Sequence, residues 1–138
     1  MTLPIVTIDR TRSYPPRVTA FTQRFWNALQ EGHFETTRCQ DCGRASFPPK
    51  PFCPHCWSKN LIWIPLRGRG RLYSQTVIHA APAVFRAETP YRVGIVDLDE
   101  GLRIATRIIS DRAPELDTSV EIIVLRHVDG PLFAARPL

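Results

Sequence analysis

Two hydrophobic periods organise the chain. Within residues 18–31 the apolar side chains Phe21, Phe25, Trp26 and Leu29 recur at i, i+4, i+5 and i+8, the spacing of one helix face, and Gly32 is placed to end the helix. From Leu72 onward the period is that of strands. Residues 72–79 are one candidate, closed by Ala80, Ala81 and Pro82. Residues 91–98 are a second, closed by the hairpin signal Asp99-Glu100-Gly101. Residues 102–109 alternate, with Leu102, Ile104 and Ile108 on one face and Arg103 and Arg107 on the other. Pro114 breaks the stretch 110–118, and residues 120–128 and 132–136 supply the last two strands around Asp129-Gly130. Five strands with a break before the fourth predict a small closed antiparallel barrel of the OB type.

Residues 1–17 carry Pro4, Pro15 and Pro16 and no sustained period, so they read as an extended arm that orders only against something else, its Arg10, Arg12 and Arg17 solvated. The aromatic helix has two readings. It packs on its own core, or, because a helix before a small ribbon has little core to reach, Phe21, Phe25, Trp26 and Leu29 present a surface to a partner. A β-rich run at 61–66, stopped by Pro65, leads into Arg67-Gly68-Arg69-Gly70-Arg71. Glycines among arginines suit a phosphate cradle, an RNA-binding tract or a flexible hinge, and here they read as a hinge and the start of a strand. The expected division is an arm over 1–17, a helix over 18–34, a ribbon over 35–67 and a barrel over 68–138.

The ribbon is defined by Cys39-x-x-Cys42 and Cys53-x-x-Cys56, which hold all four cysteines of the chain. Two intervening residues let one tight turn aim two sulfurs at one ion, and two such turns complete a tetrahedral zinc site. Gly43 can take the positive φ that such a turn requires. Pro48, Pro49 and Pro51 keep the link between the turns extended. The alternatives are two disulfides, with three possible pairings, or four unrelated thiols. No secretory signal is evident, which places the chain in a reducing compartment and favours zinc. Four thiolates close the coordination sphere, so the expected metal is structural, no cysteine is left as a nucleophile, and His55 is exposed.

Composition adds bounds. The chain is 138 residues long and 43% hydrophobic, enough for one domain or a small module plus a domain. The first apolar run, 3–8, is broken by Pro4 and Thr7 and is too short for a signal core or a membrane span, so the expected location is cytoplasmic, with no membrane partner. A net charge of +5 raises nucleic-acid binding. However, residues 1–67 hold nine basic and four acidic residues, while residues 68–138 hold nine of each, so the barrel half is neutral.

Taken together, Phe25-Trp26, Leu29, Gly32-x-Phe34, Arg38-Cys39-x-x-Cys42-Gly43, Pro48-Pro49, Cys53-Pro54-x-Cys56 and Gly68-x-Gly70-x-x-Tyr73-Ser74-x-Thr76-Val77 carry a likeness, joined by Pro90-Tyr91, Val96-Asp97-Leu98, Gly101 and Phe133. Over residues 18–138 the chain resembles the acyl-CoA-associated family in which a rubredoxin-like zinc ribbon is joined to an OB fold, domain of unknown function 35. The resemblance implies a mainly β protein with an N-terminal helix, the ribbon and a five-stranded OB barrel, and zinc on Cys39, Cys42, Cys53 and Cys56. It also implies an accessory subunit of a thiolase-fold enzyme (thiolase, acyltransferase or retro-aldolase) or of a hotdog-fold hydratase, with helix and ribbon contacting the enzyme and the barrel helping to hold coenzyme A. Under that reading coenzyme A phosphates meet Arg69, Arg71 or Arg92 near the barrel mouth, with Tyr73 beside them, because guanidinium forks match phosphate oxygens.

Two other classes make demands that the sequence does not meet. A single-strand nucleic-acid module would need stacking platforms, and the barrel strands offer only Tyr73, Tyr91 and Phe133. An independent enzyme on acyl thioesters would need a nucleophile and a base. The chain has no nucleophile elbow, Walker loop, dinucleotide fingerprint or His-Glu-x-x-His, its His33, His79 and His127 are scattered, and Asp97, Asp99 and Glu100 sit at a turn that attracts such residues.

Overall fold

A computed structural model describes residues 2–138. In chain order it contains β1 (Ile5–Thr7), α1 (Gln23–Gln30), β2 (Phe34–Cys39), β3 (Ala45–Ser46), β4 (Leu61–Leu66), β5 (Arg69–Ile78), a 3₁₀ segment (Ala83–Glu88), β6 (Tyr91–Leu98), β7 (Arg103–Ile108), β8 (Ser119–His127) and β9 (Gly130–Pro137). The ribbon is the three-stranded sheet β3-β2-β4. The barrel runs β8-β5-β6-β7-β9 and closes through β8 on β9, with β7 and β9 parallel at Ile108 and Ala135. This is the closed five-stranded OB barrel that the strand pattern predicted.

Helix α1 is shorter than its periodicity suggests. The Thr19 and Thr22 amides each donate to the other residue's hydroxyl, at 2.8 and 3.1 Å, and hold the residues before the helix in a turn. At the other end Gly32 has φ +87°, its amide bonds Leu29 O at 2.9 Å and the His33 amide bonds Ala28 O at 2.8 Å. That is a Schellman stop, and glycine is the residue that adopts it without steric cost. Strand β4 continues past Pro65, which pairs with Glu35. It can do so because β4 is an edge strand, where a missing N–H leaves no neighbour unsatisfied.

The helix does reach a core. Phe25 is 4% exposed and Leu29 fully buried, in one cluster with Phe34 and Leu66 of the ribbon and Leu72, Val96, Ile104, Ile122, Val124 and Ala135 of the barrel. Around Phe25 the rings of Phe34, Phe47 and Phe133 lie 5.8–6.2 Å away in tilted or edge-on contact. Phe25 and Leu29 therefore cannot be the partner surface that the helix pattern allowed. Their hydrophobic burial is satisfied within the chain. Phe21 and Trp26 are half-buried, Phe21 against Trp63 at 5.4 Å.

The glycine-arginine stretch is a packed junction rather than a flexible hinge. A Cβ on Gly70 would stand 2.2 Å from Asp97 O, and one on Gly68, where φ is +73°, would stand 2.5 Å from Leu3 Cδ2. These close approaches need the hydrogen-only side chain.

The N-terminal arm orders against the chain's own barrel. Strand β1 adds to β8 in parallel, with Ile5, Val6 and Thr7 opposite Val124, Leu125 and Arg126. Arg12, expected to be solvated, is only 11% exposed at its side chain and clamps the β8–β9 turn. Its guanidinium donates to Asp129 O at 2.9 Å and Pro131 O at 3.2 Å, and its amide donates to the Asp129 carboxylate at 2.9 Å. That amide is the main reason the Asp129 carboxyl lies below its usual range. The clamp also sets a requirement on the turn, since a Cβ on Gly130 would meet the Arg12 guanidinium at 2.6 Å. Arg12→Ala is expected to free the arm while the barrel stays folded. Native-state hydrogen exchange should show the Ile8 and Val128 amides, which bond Arg126 O and Arg10 O, losing about ten-fold or more of their protection. Unchanged protection would show that the strand pairing alone holds the arm.

Candidate functional site

The two cysteine turns have the same backbone plan. In the first, the Gly43 amide bonds Cys39 O at 2.9 Å and the Cys39 amide bonds Arg44 O at 2.9 Å. In the second, the Trp57 amide bonds Cys53 O at 2.9 Å and the Cys53 amide bonds Ser58 O at 2.8 Å. This folding brings all four sulfurs within 4.8 Å of one another. The closest pairs, Cys39 with Cys56 and Cys42 with Cys53, are both 3.6 Å apart and each joins one turn to the other. Tetrahedral zinc with bonds near 2.3 Å places sulfurs about 3.8 Å apart, whereas a disulfide needs about 2.05 Å. The donors thus fit a metal ion and do not fit a disulfide. His55 is exposed, as expected.

The thiols themselves call for a cation. The Cys42 amide, the largest influence on Cys39, holds its thiol down to about 6 against the effect of burial. Cys56 is pushed up to about 12: the Ser58 amide pulls it down, but the neighbouring Cys39 sulfur and burial outweigh that pull. Sulfurs this close cannot all be thiolates without a compensating charge, which a divalent ion supplies. Asp41 ties the turns together, accepting hydrogen bonds from the Ser58 hydroxyl and from Asn60 Nδ2, and these bonds keep its carboxyl below its usual range.

The equivalence of the two turns exposes an anomaly. Gly43 has φ +80°, and Trp57, in the matching place, has φ +66°. A non-glycine residue in this left-handed region costs about 1–2 kcal/mol. The tryptophan nonetheless stands 74% exposed, stacked on Phe52 with ring centroids 5.4 Å apart and 6° between planes. The sequence carries the signal, since a glycine follows the first Cys-x-x-Cys and a tryptophan the second.

Of the four residues suggested for coenzyme A, Arg69, Arg71 and Tyr73 follow one another along the exposed side of β5, and Arg92 stands apart from them. Arg69 approaches Glu121 at 4.0 Å, Arg71 donates to Asp117 O at 2.9 Å, and the exposed Tyr73 sits at the β5 bulge under the Arg103 guanidinium, 3.7 Å from its ring centre. Arg103 is itself bonded to Asp97 at 2.6 and 3.2 Å. Arg92 lies elsewhere, in a polar recess of about 570 Å³ shared with Arg10, Arg107 and Ser110. It donates to Gln75 Oε1 at 2.9 Å, and its buried Nε has no partner among the described residues. The stacking platforms that a nucleic acid would need are also taken. Arg103 covers Tyr73, Arg107 covers Tyr91 at 4.0 Å, and Phe133 is packed in the aromatic cluster.

A second cavity has a volume of about 600 Å³. It lies between the arm, the 3₁₀ segment and the face of β8 and β9 that carries Ile123, Leu125 and Leu132. Nothing local marks it, because its walls come from segments more than a hundred residues apart. No helix of the described residues is long and apolar enough to cross a membrane.

Chelation at neutral pH, or Cys53→Ser, is expected to unfold the ribbon and loosen Phe34 and Phe47. Because the ligands must be deprotonated, metal affinity should fall as pH drops. Zinc content and near-ultraviolet dichroism check this, and a metal-free chain with native dichroism would contradict it. Trp57→Gly should leave thermal stability within a few degrees of the parent, since relief of about 1–2 kcal/mol of backbone strain offsets an aromatic stack of about 0.5–1.5 kcal/mol. A large fall in the melting midpoint would show that the ring is structural.

Comparison with known proteins agrees with this geometry. The chain matches the rubredoxin-like zinc ribbon domain of ChsH2 over residues 26–61 and the C-terminal OB-fold domain of ChsH2 over residues 63–126. It is 37% identical over 94 residues to a DUF35 domain-containing scaffold protein of Methanocaldococcus jannaschii, covering 67% of this chain and 66% of that one. It is 34% identical over 115 residues to the benzoylsuccinyl-CoA thiolase subunit BbsA of Thauera aromatica, covering 79% and 77%. A solved Ltp2-ChsH2(DUF35) aldolase chain superposes with a TM-score of 0.75 at 30% identity, over 89% of this chain and 98% of that one. A four-thiolate ribbon packed on a closed OB barrel, matched over both parts, shows that this chain belongs to the DUF35 family of zinc ribbon plus OB-fold proteins.

Proposed function

We propose that this chain is a noncatalytic subunit of an enzyme that processes coenzyme A thioesters, most simply one of the thiolase fold, and that it docks through the second cysteine turn. Trp57 carries the reading: a large ring stands exposed at a position whose backbone suits glycine, and its one stack, on Phe52, does no more than offset the backbone strain. Exposed tryptophans are the side chains that most often anchor interfaces. The names of relatives, a thiolase subunit and a component of an aldolase, support the choice of partner.

The chain's own groups suit binding better than bond chemistry. Ser13, the only serine lining the larger cavity, donates to Glu88, and His127 Nδ1 faces Leu125 O at 3.2 Å, so neither activates the other. For coenzyme A, the recess with the unpartnered Arg92 Nε is a better phosphate site than the ion-paired row of Arg69 and Arg71.

Co-expression with the thiolase-fold protein of its own host, followed by native mass spectrometry, tests the assignment. A stoichiometric complex is expected, weakened at least ten-fold by Trp57→Gly. Recovery of the chain alone, or a complex indifferent to Trp57→Gly, would overturn the docking model.

A further inference from the structure

We infer that the arm-roofed cavity is a binding site for an apolar carboxylate. The inference goes beyond the partner-subunit reading and does not depend on it, since the site is complete within this chain.

The cavity has the size and lining of a small-molecule site. About 600 Å³ lies within the usual 300–1,000 Å³. Its apolar walls come from Val6 and Ile8 of the arm, Ile123 and Leu125 of β8, and Leu132 and Phe133 of β9. Strand register explains why these face one space. Val6 lies opposite Leu125, and Leu125 opposite Leu132, so three neighbouring strands present side chains to the same side. The 3₁₀ segment brings Phe85 to the rim, 6.4 Å from Tyr14. The arm that forms the roof is the segment clamped by Arg12, so the chamber exists only because residues 5–14 are fastened to β8 and the β8–β9 turn.

Charge accounting at the walls decides the ligand's polar end. The ionisable linings are Arg10, Tyr14, Glu88, Arg107, His127 and Arg136. Arg107 is bonded to Glu88, whose carboxyl also accepts from Ser13. Burial works against ionising Glu88, but the Ser13 and Arg107 hydrogen bonds prevail and hold it below its usual range, so this pair is internally neutral. Arg136 is bonded to Glu121 at 2.8 Å and is neutralised outside the cavity. Arg10 makes no side-chain hydrogen bond or ion pair among the described residues, although its charge also acts on Glu88, so that Arg10, Arg107 and Glu88 together carry one net positive charge. One guanidinium is therefore left at the rim of an apolar chamber, which selects a molecule with an apolar body and a single anionic group. Arg10 also borders the polar recess of Arg92, so a longer ligand could pass from one space to the other around the Glu88–Arg107 pair. The same apolar body could thus arrive as a free acid or as the acyl group of a thioester.

Calorimetric titration of the zinc-loaded full chain with decanoate, decanoyl-CoA and coenzyme A separates these sources. Saturable decanoate binding is expected, weakened at least ten-fold by Arg10→Glu, which alters an exposed side chain, and abolished by Leu125→Trp, which fills the chamber. Displacement of decanoate by decanoyl-CoA but not by coenzyme A would identify the thioester's acyl group as a natural occupant, and failure to displace it would leave the free acid. Absence of saturable decanoate binding, or equal binding by the parent and both variants, would overturn the assignment. Coenzyme A binding without decanoate binding would also overturn it while leaving the proposed function intact.

Discussion

Everything in this molecule leans on the aromatic contact where helix, ribbon and barrel meet. A three-stranded ribbon of this size buries too little apolar surface to hold itself, and an eight-residue helix is too short to persist alone. Both are stabilised by sharing the barrel's core through Phe25, Leu29, Phe34 and Phe133. The four sulfurs then complete the ribbon at its far end, where no core reaches. Packing at one end and metal ligation at the other divide the work that a larger hydrophobic core would otherwise do.

Backbone constraints repeat the same logic at smaller scale. Gly70 lets β5 lie against β6, Gly68 admits Leu3, and Gly130 makes room for the Arg12 guanidinium. Each is small because something large or rigid occupies the neighbouring space. Trp57 breaks the pattern. It takes a glycine-like conformation and keeps a large exposed ring, stacked only on Phe52.

Electrostatics on the barrel follow from pairing. Arg69 and Arg136 converge on Glu121, Arg103 on Asp97 and Arg107 on Glu88, consistent with a barrel half of zero net charge. Such a surface offers less to a polyanion than its arginine count suggests, because several of its cations are paired and two of its tyrosine faces are covered. Among the guanidinium groups without an ion pair, Arg10 and Arg92 border concave spaces, whereas Arg86 and Arg112 stand on the open surface. The placement of Arg10 and Arg92 suits small anions.

The sequence by itself determined the features that depend on near neighbours. Cysteine spacing specified the metal ligands, because a tight turn is set by the two residues within it. Alternation and turn residues specified the barrel strands, each found within a few residues of its expected limits. Gly32 specified the end of the helix. What only the tertiary structure decided were the outcomes of contacts between distant segments. The helix face turned inward because the barrel, assembled later in the chain, offered it a core. Arg12 became a clamp because its partner Asp129 lies 117 residues away. The arm-roofed cavity exists only once the two ends of the chain are side by side. Local sequence carries dihedral preference and periodicity, whereas which surfaces meet depends on closure of the whole barrel.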